Sequence, residues 1–180
     1  MDRSAKPNTS YSKLSIGLHW LMLALLAAVY AAILMRENYP RGSEIREALK
    51  AWHFTLGLSV FVLVWVRIVV RAVSPRPHVP ASWDARIAVV MHVALYVLMV
   101  AMPILGWLAL SADGKPIPFF GLELPALTGE SKALADQVEE VHETLGEVGY
   151  WLIGAHAAAA LFHHYVLRDG TLRRMLPGRA

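Results

Sequence analysis

The stretch IGLHWLMLALLAAVYAAILM, residues 16–35, sets the class of this protein. It carries no formal charge, and its one histidine is His19. A helix of about 20 residues, rising 1.5 Å each, covers the roughly 30 Å hydrocarbon core of a bilayer. A cleaved signal peptide has a shorter apolar core followed by a small-residue cleavage site, and neither is seen here. Three more apolar runs follow, at about 51–70, 87–112 and 141–167. Four such runs in 180 residues predict an all-α integral membrane protein. The short connections favour an antiparallel four-helix bundle, a single domain over 1–180 with helices at about 13–36, 48–73, 86–112 and 140–167.

Composition agrees. Hydrophobic residues make up 56% and charged residues 17%, against roughly 45–50% and about 25% for soluble domains. Cysteine is absent, which excludes disulfides, covalently attached c-type haem, thiolate-held iron–sulfur clusters and Cys-based zinc sites. Eight histidines and seven methionines remain as metal ligands, the methionines scattered as packing residues are. A net charge of +3 gives no reason to expect nucleic acid as a partner.

The distribution of charge gives the orientation. Arg3, Lys6 and Lys13, then Arg67, Arg71, Arg76 and Arg86, then Arg168, Arg173, Arg174 and Arg179 fall on one side of the predicted bundle. Arg36, Arg41, Arg46, Lys50, Lys115 and Lys132 fall on the other. The positive-inside rule puts both termini in the cytoplasm. The acid-rich loop 113–140 then faces outward, and within it GKPIPFFGLELPALT, residues 114–128, reads as irregular and apolar, lying at the outer interface or capping the bundle mouth. SPRPHVPAS, residues 74–82, is a proline-rich turn that ends the second helix and carries His78. Most of the tryptophans and tyrosines lie towards span ends, as an aromatic belt does.

Ionisable residues inside spans are costly and mark function. Counted from the outer charges, His19 and His156 both lie about 24–26 Å deep on the first and fourth helices. His53 and His142 both lie within about 5 Å of the outer edge, on the second and fourth. His142 and His156 are fourteen residues apart, close to four turns, so they share a helix face. Two pairs at matched depths, with few carboxylates around them, fit two bis-histidine haems stacked across the bundle. Such a haem is coordinatively closed and suits electron transfer. Gly57 and Gly146, each four residues past a paired histidine, with Gly149, Gly154 and the alanine run around His156, would by themselves read as ordinary helix packing; together with the matched histidines they favour room for a macrocycle. His92 and His163 count to about 32–35 Å, near the inner headgroups, where they either meet water and lipid phosphate or serve quinone binding or proton handling. His164 points about 100° away from His163. Arg67 and Arg71 reach lipid phosphates by snorkelling or pair with a haem propionate. The outer cations Arg36, Arg41, Arg46 and Lys50 either steer an anion inward or form a solvated rim balanced by Glu37, Glu44 and Glu47. No phosphate-binding loop or nucleophile elbow occurs.

The segments VHETLGEVGYWLIGAHAAAALFHHY (141–165), YSKLSIGLHW (11–20), GKPIPFFGLELP (114–125) and RDGTLRRMLP (168–177) resemble the bacterial cytochrome b561 family of di-haem inner-membrane proteins. That resemblance covers nearly the whole chain. It implies two b haems, with His19 and His156 as axial ligands of the inner one and His53 and His142 of the outer. It implies ubiquinone as electron partner, a bacterial inner-membrane location and, as in some members, superoxide oxidase activity with superoxide or another one-electron donor. Other members of the wider family are membrane anchors that pass electrons between a partner dehydrogenase and quinone. A histidine-lined metal or proton transporter is the reading that needs no haem.

Overall fold

The computed structural model describes residues 11–74 and 83–177. Four long helices cross it: α1 (Lys13–Arg36), α2 (Glu44–Val73), α3 (Trp83–Ala112) and α4 (Lys132–Phe162). Each is long and apolar enough to cross a membrane. Only 6–17% of the residues in their apolar windows are buried by protein, so lipid must cover the rest. The proline-rich turn with His78 and Arg76, and the basic residues Arg3, Lys6 and Arg179, lie outside the described residues.

Helix starts are set by serine caps. The Ser12, Ser43 and Ser131 hydroxyls accept from the backbone N–H of Ser15, Arg46 and Leu134 at 3.2, 3.3 and 3.4 Å. These caps put two helices well ahead of where their apolar runs begin. α2 starts at Glu44 rather than 48, with Glu44 and Glu47 in its first turn, favourable to the helix dipole. α4 starts at Lys132 rather than 140, because its first turns carry polar residues outward and bury Ala135 and Val138. The outer acidic segment is therefore half helix. α3 begins at Trp83 rather than 86, and α4 gives way at Phe162 to a π-helical turn, His163–Leu167, closed by Arg168 with φ of 53°.

The irregular reading of 114–128 is also corrected. Residues Ile117–Phe119 (β1) and Leu122–Leu124 (β2) form an antiparallel hairpin. Its two-residue turn, Phe120–Gly121, has φ of 49° and 80°, the left-handed pair that a tight hairpin demands. Ile117 packs with Leu58 and Leu110 at the outer end of α2 and α3. The Thr55 hydroxyl donates to the Pro118 carbonyl at 3.3 Å, and the Trp107 indole to the Pro125 carbonyl at 3.0 Å. The hairpin therefore caps the bundle beside His53.

The central core is built by three helices. Met22 on α1, Val60 and Val64 on α2 and Met99 on α3 interlock with Leu25, Leu26 and Tyr96 among others. α4 contributes no residue to this cluster and packs along α3. A Cβ on Gly106 would meet His142 and one on Gly146 would meet Met102, while the His92 and His156 rings touch. These contacts define an antiparallel α3–α4 register. Between α4 and the α1–α2 pair, the links are side chains.

Candidate haem sites

Two layers of histidine cross the bundle. In the outer layer the His53 and His142 rings have centroids 6.2 Å apart with planes at 75°. In the inner layer the His19 and His156 centroids are 6.3 Å apart at 73°. A metal–imidazole bond of about 2.0–2.1 Å on each side, plus about 1.1 Å from nitrogen to ring centre, spans roughly 6.3 Å. Both pairs therefore have the span that two axial imidazoles on one iron require. Among the described residues no cluster of three or more His, Asp or Glu forms a closed metal site. That donor set, two imidazoles and open flanks, is the one a porphyrin iron completes.

The open flanks are physical. A Cβ added at Gly57 or Gly154 meets nothing within 4 Å, and at Gly146 only the Met102 methyl at 3.7 Å. Gly57 follows His53, and Gly146 follows His142, by about one helical turn on nearly the same face. Gly149 is different. Its Cβ would sit 2.3 Å from the Tyr30 hydroxyl, so this glycine serves helix contact. Tyr30 stacks on Tyr150 at 4.2 Å and donates to the Gly146 carbonyl at 3.0 Å, tying α1 to α4 between the two layers.

Second partners orient the rings. His53 Nδ1–H donates to the Val29 carbonyl at 3.1 Å, which leaves Nε2 bare for a metal. His142 Nδ1 is buried with no partner of hydrogen-bond geometry. His19 Nδ1 instead faces Arg67 Nη2 at 3.2 Å.

The two remaining candidates part company. His92 counts deeper than His156 in the sequence, yet its ring centroid lies only 5.3 Å from that of His156. It belongs to the inner layer, too close to His156 to share an iron with it. The depth count misplaced it because α4's outer end was taken eight residues too far in. His92 Nδ1 donates to the Ala88 carbonyl of its own helix at 2.5 Å. His163 stands at the inner end of α4 and donates from Nδ1 to Asp169 at 2.5 Å. Partial burial alone would raise the Asp169 carboxyl, but bonds from His163 and the Thr171 N–H hold it down at about 2. His164 packs on Tyr165. The outer cations are mostly engaged: Arg36 and Arg46 bind Glu37, and Arg46 also caps the carbonyls of Arg36 and Tyr39. Lys50 sits 6.0 Å over the Phe54 ring, which lies edge-on to His53. What sequence reasoning missed is the set of neighbours fixed by helix rotation: Val29, Gly106 and Tyr30.

Residues 10–178 match the family described as Prokaryotic cytochrome b561. Cytochrome b561 homolog 1 of Escherichia coli is 36% identical over 94% of this chain and 98% of its own length. A protein of Yersinia pestis named probable superoxide oxidase CybB is 38% identical over 93% of this chain and 96% of its own. Cytochrome b561 homolog 2 of Escherichia coli is 31% identical over 92% and 90%. With four spans, facing imidazoles and a match along nearly its whole length, this chain belongs to the prokaryotic cytochrome b561 family, haem b proteins that carry electrons in bacterial membranes.

Proposed function

We propose that this chain conducts electrons from superoxide at the outer face to ubiquinone at the inner face through two b haems. His53 and His142 hold the outer haem; His19 and His156 hold the inner. The observation that carries this reading is the pair of imidazole separations, 6.2 and 6.3 Å, one in each layer. Held between two imidazoles, a haem would supply one-electron transfer, and the two rings would leave oxygen no place to bind. The name of the Yersinia pestis relative supports superoxide as donor. The positive-inside distribution of lysine and arginine supports cytoplasmic termini, and the chain is read as a single domain.

The protein's own work is positioning and charge. The Val29 carbonyl fixes the His53 tautomer. The hairpin covers the outer end beside His53, so the donor approaches past Lys50 and Phe54. At the inner end, reduction of a quinone to quinol takes up two electrons and two protons. His163, oriented by Asp169, and His92 are the groups placed to pass protons there. Anaerobic redox titration of the purified protein, followed by a superoxide pulse with quinone present, tests the whole reading. Two low-spin b centres and quinol formation without a partner protein are expected. One centre, or activity only with a co-purified dehydrogenase, would replace it with the membrane-anchor reading.

A further inference from the structure

Arg67 is a cation inside a membrane-spanning helix, and its position is not that of a residue reaching for the lipid surface. On α2 it lies fourteen residues from His53, close to four turns, so it shares the face that carries the outer ligand. On α4 the same interval separates His142 from His156. α2 thus contributes an imidazole to the outer layer and a guanidinium to the inner one. The contacts agree: Arg67 Nη2 is 3.2 Å from His19 Nδ1, Nε donates to the Tyr96 hydroxyl at 3.1 Å, and Nη1 to the Ser15 carbonyl at 3.4 Å. All three partners are neutral. No ion pair joins Arg67 to a carboxylate among the described residues. A charge held in a span by neutral groups alone is short of a counter-ion.

The contact with His19 sharpens this. Guanidinium only donates, so His19 Nδ1 accepts, and the ring's proton is then on Nε2. An axial imidazole bound through Nε2 needs that atom bare and the proton on Nδ1. The bond as it stands therefore opposes metal binding by His19. It is relieved if Arg67 turns to an anion in the same layer. We propose that Arg67 is the anchor for a propionate carboxylate of the inner haem, and that engaging it frees His19 to ligate. This rests on His19 and His156 holding that haem. Tyr96, one turn from His92 on α3, orients the guanidinium from the other side. Arg67 also lines a small cleft with Tyr11, Arg71 and Met175 at the inner end, so a lipid phosphate is the competing anion.

The test compares wild type, Arg67→Gln and Arg67→Lys, each stripped of haem and reloaded with protohaem or its dimethyl ester, which lacks free carboxylates. Wild type is expected to retain protohaem in the inner site roughly tenfold better than the ester, the scale of a charge-assisted bond. Arg67→Gln should abolish that preference and lower the midpoint potential of the inner centre alone, since a positive charge beside the iron favours the reduced form. Arg67→Lys should restore the potential more than the preference, because lysine keeps charge but not the planar fork. An unchanged preference and potential in Arg67→Gln would overturn the proposal. So would a difference between variants seen in anionic phospholipid vesicles and absent in lipid-free detergent, which would assign the cation to lipid phosphate. If His19→Ala leaves both low-spin centres of the protein intact, the ligand assignment itself falls, and with it this anchor.

Discussion

His53 and His142 face one another across the outer layer, but they are held unequally. His53 is fixed by a hydrogen bond to another helix, whereas His142 has a buried Nδ1 without a partner and leans on Gly106. A Cβ at Gly106 would lie 3.3 Å from His142 Cε1. Gly106→Ala should therefore displace His142 and shift the spectrum and potential of the outer centre while the inner centre stays as it is; equal shifts in both would refute the layer assignment. Gly149→Ala has a different target. Its Cβ would press on the Tyr30 hydroxyl and on Leu98, an overpacking that costs about 1–3 kcal/mol. Thermal unfolding should register that loss, with both haem spectra retained in the folded fraction. At this scale the ring contacts of His19 with His156 and of His53 with His142 were legible in the sequence, from residue counts to the flanking charges, although the same counts put His92 a layer too deep. The neighbours were not. Whether Arg67 meets His19 or lipid depends on helix rotation, which a count of residues does not carry.

Along α4, His142, Gly149, His156 and His163 recur at seven-residue intervals, close to two turns, so one face presents the proposed outer ligand, a close helix contact, the proposed inner ligand and the inner-end histidine. Its apolar run was plain to read, but its start was not. Hydropathy marks where lipid begins, and the eight extra residues from Lys132 are polar helix held by the Ser131 cap and the Lys132–Asp136 pair at 2.8 Å. The hairpin escaped for a related reason. Its strands are three residues each, too short for periodicity, and its turn places Phe120 in a conformation that glycine usually takes. At the other end, the π-helical turn is tied by Asp169 to His163. The Asp169 carboxyl is held low in the folded protein, at about 2, against roughly 3.9 when free. A depressed carboxyl contributes its stability in full above the free value and loses it as pH falls through the folded one. The inner-end turn should therefore hold from neutral pH to about pH 4 and loosen progressively towards pH 2. Hydrogen exchange at the Thr171 amide, which donates to Asp169 at 2.8 Å, reports this directly. In Asp169→Asn the acid-dependent step should vanish.

Taken whole, the molecule is two helix pairs, α1 with α2 and α3 with α4; α1, α2 and α3 share the central core, and α4 meets α1 through side chains at the level of the facing histidines. Met22, Val60, Val64 and Met99 stabilise α1, α2 and α3. α4 is tied to α1 through Tyr30 and through the facing imidazoles. If haem occupies both layers as proposed, loading it should stabilise the bundle by mass action, since the unfolded chain cannot pair His19 with His156. The charge pattern of the outer end complements this design. Arg36 and Arg46 share the single Glu37 carboxylate, and Arg46 also caps two backbone carbonyls, so both are held in a structural rim that keeps one net positive charge. Lys50, over Phe54 and one turn before His53, is the cation at the entry to the outer pair. If superoxide is the donor, Lys50→Gln should slow reduction of the outer centre by superoxide severalfold at low ionic strength. The difference should close near 1 M salt, where the screening length is about 3 Å. An uncharged one-electron reductant supplies the control, because steering acts on charge. Its rate should be the same in both proteins at every salt concentration. If Lys50→Gln slows both donors alike, the lysine shapes the outer haem pocket, and the anion reaches it by another route.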